Sequence, residues 1–156
     1  MSKSLKRVEA ALTDADINYE MVRTETASRT AQAAADVIGC SIDQIAKSII
    51  LRGQDTQRLY LFVTAGGNQV CLHKASDLVG EPIDRPNANT VRKVTGFAVG
   101  GVSPVGHITP IRAFIDPRLA DFEVVWAAGG TPNHVFSIAP DALIRTTGGK
   151  ITDFSS

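Results

Sequence analysis

The chain has 156 residues, a length that bounds it to one domain, residues 1–156, with a core of its own. Basic and acidic residues number 16 each, so the formal net charge is zero; that excludes holding RNA by phosphate neutralisation alone, and any chain of this charge that meets RNA must touch a small part of it or have a partner that does the gripping. There is no apolar stretch of membrane-spanning length, the charged amphipathic start is no signal peptide, and Cys40 and Cys71 make no disulfide framework, so a soluble cytoplasmic protein with reduced thiols is expected.

Leu5, Val8, Ala11, Leu12 and Ala15 recur at helical spacing and predict an amphipathic helix over about residues 4–15. Residues 19–23 alternate like a strand. The Ala-rich run from Ser28 to Ile38 predicts a helix with Gly39 as a left-handed C-cap. Ser41 with Gln44 three residues on has capping-box spacing, and the β-branched run Ile49-Ile50-Leu51 predicts a buried strand starting after Lys47. The turn chemistry of residues 52–55 makes Leu59 to Val63 its hairpin partner, broken by Gly66-Gly67-Asn68. A short helix from His73 to Val79 closes at Gly80. Another starts at Asn87 or Asn89 and closes at Gly96. Ile111 to Ile115 and Val124 to Ala127 predict strands flanking a helical turn opened by Asp116-Pro117. Val135 to Ile138 predicts a strand, and Pro140 starts a last helix to about Thr146. Hairpins mixed with helices, without βαβ alternation, give an α/β fold: a mixed, largely antiparallel sheet curling around a pocket, with helices outside.

Lys47 is the residue most out of place, because an unpaired buried ammonium is expensive. It either snorkels to solvent or serves a site. Two glycine-rich loops favour a site. In Gly100-Gly101-Val102-Ser103-Pro104, adjacent glycines permit positive φ and close approach to backbone amides, which could stabilise an oxyanion. The second loop, Gly129-Gly130-Thr131-Pro132-Asn133-His134, ends in a histidine able to bind a polar substrate group or a water. Either loop could instead be a tight bend at a sheet edge, and His73, His107 and His134 could be structural. Cys71 and His73 lack a second pair at zinc spacing, so no metal is expected. There is no Gly-x-Ser-x-Gly elbow, Walker A loop, Rossmann fingerprint or His-Glu-x-x-His. Ser103 has no evident base, and Cys40 lies at the wrong end of its helix for thiolate activation. A hydrolase built this way takes its nucleophile from water or from the substrate.

The series Arg29-Thr30-Ala31-Gln32-x-x-Ala35, Gln44-Ile45-Ala46-Lys47-Ser48, Thr95-Gly96-Phe97-Ala98-Val99 running into the first glycine loop through His107, and Ala128-Gly129-Gly130-x-Pro132-x-His134 resembles the YbaK/prolyl-tRNA synthetase-associated domain family, over nearly the whole chain. The resemblance implies a curved sheet around an aminoacyl pocket and trans-editing: hydrolysis of the ester joining a wrong small amino acid, such as alanine or cysteine, to the tRNA for proline. It implies catalytic roles for Lys47, Gly100 and Gly101 and substrate-binding roles for Thr30, Ser103, Pro104, Gly129, Gly130 and His134. Lys47 would hold the terminal nucleotide or ester, and water aided by the substrate 2′-hydroxyl would attack. The implied partners are the acceptor 3′ end of aminoacyl-tRNA and prolyl-tRNA synthetase, with no DNA, membrane, cofactor or metal. His107 stands where cysteine-editing members have Gln, which points to the subgroup acting on alanine or other small aliphatic residues. Val63, Thr64, Ala65 and Val99 are candidates for lining a small pocket. Two alternatives stay open: a non-catalytic module binding a nucleotide or aminoacyl-adenosine, and a hydrolase of some other activated small ester.

Overall fold

The computed structural model describes residues 2–25 and 30–156. Helix α1 (Lys3–Asp14) starts at Ser2, whose hydroxyl accepts the N–H groups of Ser4 and Leu5. It buries Leu5, Val8 and Leu12, the expected stripe. Strand β1 (Glu20–Arg23) follows, then α2 (Ala31–Ile38), capped by Thr30 and ended by Gly39 at φ +84°. Ser28 and Arg29, assigned to this helix from sequence, lie outside the described residues. A 3-10 turn (Ile42–Gln44) carries the predicted capping box of Ser41 and Gln44.

Strand β2 (Ile45–Gly53) begins two residues before Lys47, not after it. Pairing of Ala46 and Lys47 with Ala65 and Thr64 of the next strand, and of Ile45 and Ala46 in parallel with the later strand β6 (Val125–Ala128), extends it backwards, which local sequence could not show. Strand β3 (Leu59–Ala65) completes the hairpin. Helix α3 (Leu72–Val79), strand β4 (Ile83–Asp84), helix α4 (Ala88–Thr95) capped by Asn87, and strand β5 (Arg112–Ile115) come next. Asp116 caps a second 3-10 turn (Pro117–Asp121). Strand β7 (His134–Ile138), helix α5 (Pro140–Thr147) and strand β8 (Lys150–Ile151) complete the order. Among the described residues no helix is long and apolar enough to cross a membrane.

The strands form one mixed sheet in the order β1-β7-β6-β2-β3-β5-β8, with β4 paired to β2. The β1–β7, β6–β7, β2–β3 and β2–β4 pairs are antiparallel; β2–β6, β3–β5 and β5–β8 are parallel. Alternation along β3 sends Leu61, Val63 and Ala65 to one face, where Val8, Leu12, Leu119 and Leu143 cover them. It sends Tyr60 and Phe62 to the other, against Phe114, Ala75 and Phe154. Phe62 stacks on Phe114 at 5.0 Å between ring centroids and meets Phe154 edge-on at 5.1 Å.

One buried carboxylate ties the β2–β3 hairpin to the end of α3. Glu81 accepts the N–H groups of Asp55 and Thr56, both at 2.9 Å, the Thr56 hydroxyl at 2.7 Å and the Tyr60 hydroxyl at 2.9 Å. The Thr56 hydrogen bonds lead in holding its carboxyl down at about 2, although burial opposes them. A depressed carboxylate pKa contributes stability that is present above the ordinary carboxylate range and is lost as pH falls toward 2. Glu81→Gln therefore lowers Tm at neutral pH, and thermal melts at successively lower pH bring variant and wild type together between about pH 4.5 and 2.

Candidate active site

The sheet leaves a gap at its centre. On the side away from β3, strand β2 is paired with β6 only at Ile45 and Ala46 and with β4 only at Arg52 and Gly53. Gly53 N–H donates to Arg58, so in an antiparallel ladder the alternate residues 51, 49 and 47 also turn their amides toward β3. Ser48 and Ile50 then present backbone N–H and C=O groups to the gap. This gap is one wall of a cleft of about 650 Å³, a size in the range of small-ligand sites.

Lys47, Thr30, Gly100 and His134 all line that cleft, together with Ser48, Arg85, Val91, Val99, Trp126, Thr131 and Pro132. Residues far apart in sequence thus meet in one place. Among the described residues no lining residue is acidic, and Lys47 and Arg85 are cations that line it. Val99 is 63% exposed at the rim, whereas Val63, Thr64 and Ala65 are fully buried and form no part of the cleft. Val63 and Ala65 point to the α1 side by strand alternation, and Thr64 is sealed between β2 and β5.

The Lys47 ammonium is half-buried and donates to the Asn68 carbonyl at 2.8 Å. Burial pushes its pKa down, and the charge of Asp116 partly restores it. Asp116 accepts the Ala65 N–H at 3.0 Å and the Asn68 side-chain amide at 2.9 Å on one oxygen, and the Arg118 N–H at 3.0 Å on the other. Asp43 accepts the Gly67 N–H at 2.9 Å and pairs with Arg118 at 3.0 Å. Two carboxylates therefore shape the turn that offers Lys47 its carbonyl.

In the first glycine loop, Gly101 N–H closes a four-residue turn on the Ala98 carbonyl at 3.0 Å, with Gly100 third in the turn at φ +97°. That position and sign of φ favour glycine. Gly101 packs on the Thr131 backbone, where a Cβ would come within 3.0 Å. Ser103 and Pro104 are buried behind the cleft, and the Ser103 hydroxyl accepts the Val105 N–H. His107 donates from Nε2 to the Ser103 carbonyl at 2.6 Å; burial leads in pushing its pKa down, against that hydrogen bond. Arg7 of α1 ties the loop down by donating to the carbonyls of Gly96 and Gly106.

In the second loop, Gly129 N–H donates to the His134 carbonyl at 2.7 Å, and Gly130, at φ +98°, sits where a Cβ would meet the Ser4 carbonyl at 2.8 Å. Both glycines stand behind the cleft wall, while Thr131 and His134 face it. Thr131 Oγ1 lies 2.6 Å from His134 Nδ1, which leaves Nε2 for a ligand. Thr30 uses its hydroxyl to accept the Ala33 N–H at the start of α2.

Ser48, Asn68, Arg85, Asp116 and Thr131 were not singled out as site residues from sequence. Asp116-Pro117 and Gly66-Gly67-Asn68 carried the signal of a turn, and Ser48 and Thr131 lay inside quoted motifs without a role; Arg85 carried none. Among the described residues the Ser48 hydroxyl is buried without a hydrogen-bond partner, and neither cysteine lines the cleft. Among the described residues no group of three His, Cys, Asp or Glu side chains could hold a metal ion. The cleft therefore offers cations, hydroxyls, an imidazole and free backbone groups, with no side chain activated as a nucleophile.

A family model described as the aminoacyl-tRNA editing domain matches residues 25–146. The uncharacterized protein YwhH of Bacillus subtilis (strain 168) is 31% identical over 148 residues, which cover 95% of this chain and 94% of that protein. The crystal structure of a candidate trans-editing enzyme for prolyl-tRNA synthetase superposes with a TM-score of 0.92 at 39% identity, covering 100% of this chain and 99% of the other. A scaffold protein from epitope backbone grafting by computational design superposes equally well, with a TM-score of 0.92, 38% identity and the same coverage.

Proposed function

We propose, from the premise that the chain belongs to the aminoacyl-tRNA editing domain family, that it edits in trans the tRNA for proline when that tRNA carries a small wrong amino acid. Family membership makes it an aminoacyl-tRNA deacylase with aminoacyl-tRNA as substrate. The proline tRNA, alanine or cysteine as the amino acid removed, prolyl-tRNA synthetase as a partner and the cytoplasm as its location are our finer reading. Similarity to a candidate trans-editing enzyme for that synthetase supports it.

The observation that carries the mechanism is a cleft that, among the described residues, has two cations, no carboxylate and no activated nucleophile. Such a cleft suits the anionic 3′ end of a tRNA and leaves the attack to water. In this reading Lys47 holds the terminal nucleotide beside the ester, and backbone N–H groups at Gly100 and along the open edge of β2 take the charge that develops on the carbonyl oxygen. His134 orients the aminoacyl group or the water. Water adds to the carbonyl carbon, the ester C–O bond breaks, and the ribose oxygen leaves with a proton relayed through the neighbouring 2′-hydroxyl. Free amino acid and uncharged tRNA result. An aminoacyl ester is already reactive, so positioning supplies much of the rate. A separate sieve is needed because one methylene gives a synthetase pocket only about 1–3 kcal/mol of discrimination.

The test is deacylation of proline tRNA charged with alanine, cysteine, serine or proline. Loss of one small mischarged species with Pro-tRNA spared is expected. No hydrolysis above buffer across the panel would move the cleft to a non-catalytic role in binding an aminoacyl-adenosine end.

A further inference from the structure

We propose that Asp116 is a positioning residue for the Lys47 ammonium, acting through the turn at residues 66–68; the inference rests on the deacylase reading of the cleft. Lys47 faces Thr64 across the β2–β3 ladder, and Val63 faces Ile115 across β3–β5. One step past the end of β5, Asp116 comes level with Thr64, and its N–H donates to the Val63 carbonyl. Lysine, threonine and aspartate therefore lie in one row, the first two on β2 and β3 and the third just past the end of β5.

The row closes on Asn68 from both ends. Lys47 Nζ donates to its carbonyl at 2.8 Å, and its side-chain amide donates to Asp116 at 2.9 Å. The same Asp116 oxygen takes the Ala65 N–H at 3.0 Å, where β3 runs into the turn. Asp116 is only 3% exposed, so its charge acts in a low-dielectric setting close to Lys47 without forming a direct ion pair. A direct pair would satisfy the ammonium and withdraw it from the cleft. A carbonyl held by a carboxylate keeps the ammonium charged, aimed and available to a ligand.

Among the described residues the other charged groups around Lys47 are accounted for. Asp43, on the 3-10 turn after α2, is engaged by Gly67 N–H and Arg118, and Arg118 also pairs with Asp121. Arg85 and His134 line other parts of the cleft wall. Asp116 is thus the carboxylate linked to Lys47 through a single residue.

The experiment follows the Lys47 side chain by NMR through an alkaline titration, beside deacylation kinetics corrected for spontaneous ester hydrolysis. Asp116→Asn keeps the shape and removes the charge. It is expected to move the Lys47 titration to lower pH, to move the alkaline limb of the kcat profile the same way, and to lower kcat about 10- to 100-fold at neutral pH with a smaller change in KM. Asp43→Asn loosens the same turn through Gly67 and leaves the Lys47 titration in place, which separates loss of charge from loss of order. Asn68→Ala keeps both the carbonyl and the Asp116 charge but cuts the link between them. It covers the case in which Asp116→Asn does not fold: its Lys47 titration stays near that of wild type while its kcat falls about 10-fold, because the carbonyl is no longer held. A folded Asp116→Asn protein whose Lys47 titrates as in wild type would overturn the proposal, as would a wild-type kcat in Asn68→Ala. If wild type hydrolyses no aminoacyl-tRNA, the deacylase reading fails, and the titrations still decide whether Asp116 positions Lys47.

Discussion

Lys47→Met lowers deacylation at least about 100-fold while the folded protein melts at or above the wild-type temperature. The two effects have opposite signs because the cleft holds Lys47 at a cost. Burial leads in pushing its pKa down, and its hydrogen bond goes to the neutral Asn68 carbonyl. With the folded-state pKa depressed, the unfolded chain binds the proton more readily. The charged lysine therefore opposes folding at neutral pH, and that opposition fades as pH rises through the folded pKa. Methionine keeps the stem and removes the cost, leaving Asn68 O beside an open, hydrated cleft. Lys47→Arg keeps the charge yet does not restore the rate, because a planar guanidinium cannot take the place of a compact ammonium 2.8 Å from one carbonyl. Single-turnover deacylation and thermal melts on the same preparations check both halves. A Lys47→Met protein that keeps wild-type activity would remove the ammonium from the mechanism.

Lys47 was legible because an ammonium beside a β-branched run contradicts the local pattern. The capping box at Ser41 and the helix stops at Gly39, Gly80 and Gly96 were legible for a related reason: each is local chemistry with a narrow set of tolerated residues. Asp116 was read as the opener of a turn, which it is, since it caps the Pro117–Asp121 turn. Its other oxygen reaches Asn68, 48 residues away, and no local pattern announces such a contact. The parallel pairing of β2 with β6 was hidden in the same way, and it decides both where β2 starts and where its edge is left open. Strands β4 and β8 are two residues long each, too short to show a period. The glycine loops divide along the same line. The sequence marked them as special, yet only the fold distinguishes Gly100, on the cleft wall, from Gly130, which lets the loop lie against Ser4 of α1.

Gly66→Ala is the substitution expected to damage both fold and rate, although Gly66 is not among the glycines with positive φ. A Cβ there would run into the Ile42 carbonyl oxygen and come within 2.9 Å of Ala31 Cβ. Both neighbours line the cleft: Ile42 on the 3-10 turn, Ala31 at the first position of α2. A backbone carbonyl cannot swing aside as the end of a long side chain can, so the turn at 66–68 and the α2 segment must separate. Overpacking of this kind costs about 1–3 kcal/mol. The rate falls further than stability alone dictates, about 10-fold or more at a temperature where the variant is fully folded, because the displaced turn carries the carbonyl that aims Lys47. Gly39→Ala is the matched control. Gly39 has φ +84° with nothing near its missing Cβ, so alanine costs about 1 kcal/mol of backbone strain at the end of α2 and leaves the cleft alone. Denaturant melts give the two stabilities, and deacylation by fully folded protein gives the two rates. Equal rates in the two variants would mean that the turn at Gly66 does not position the site; a slow Gly66→Ala beside a wild-type-like Gly39→Ala ties the rate to the close approach of that turn.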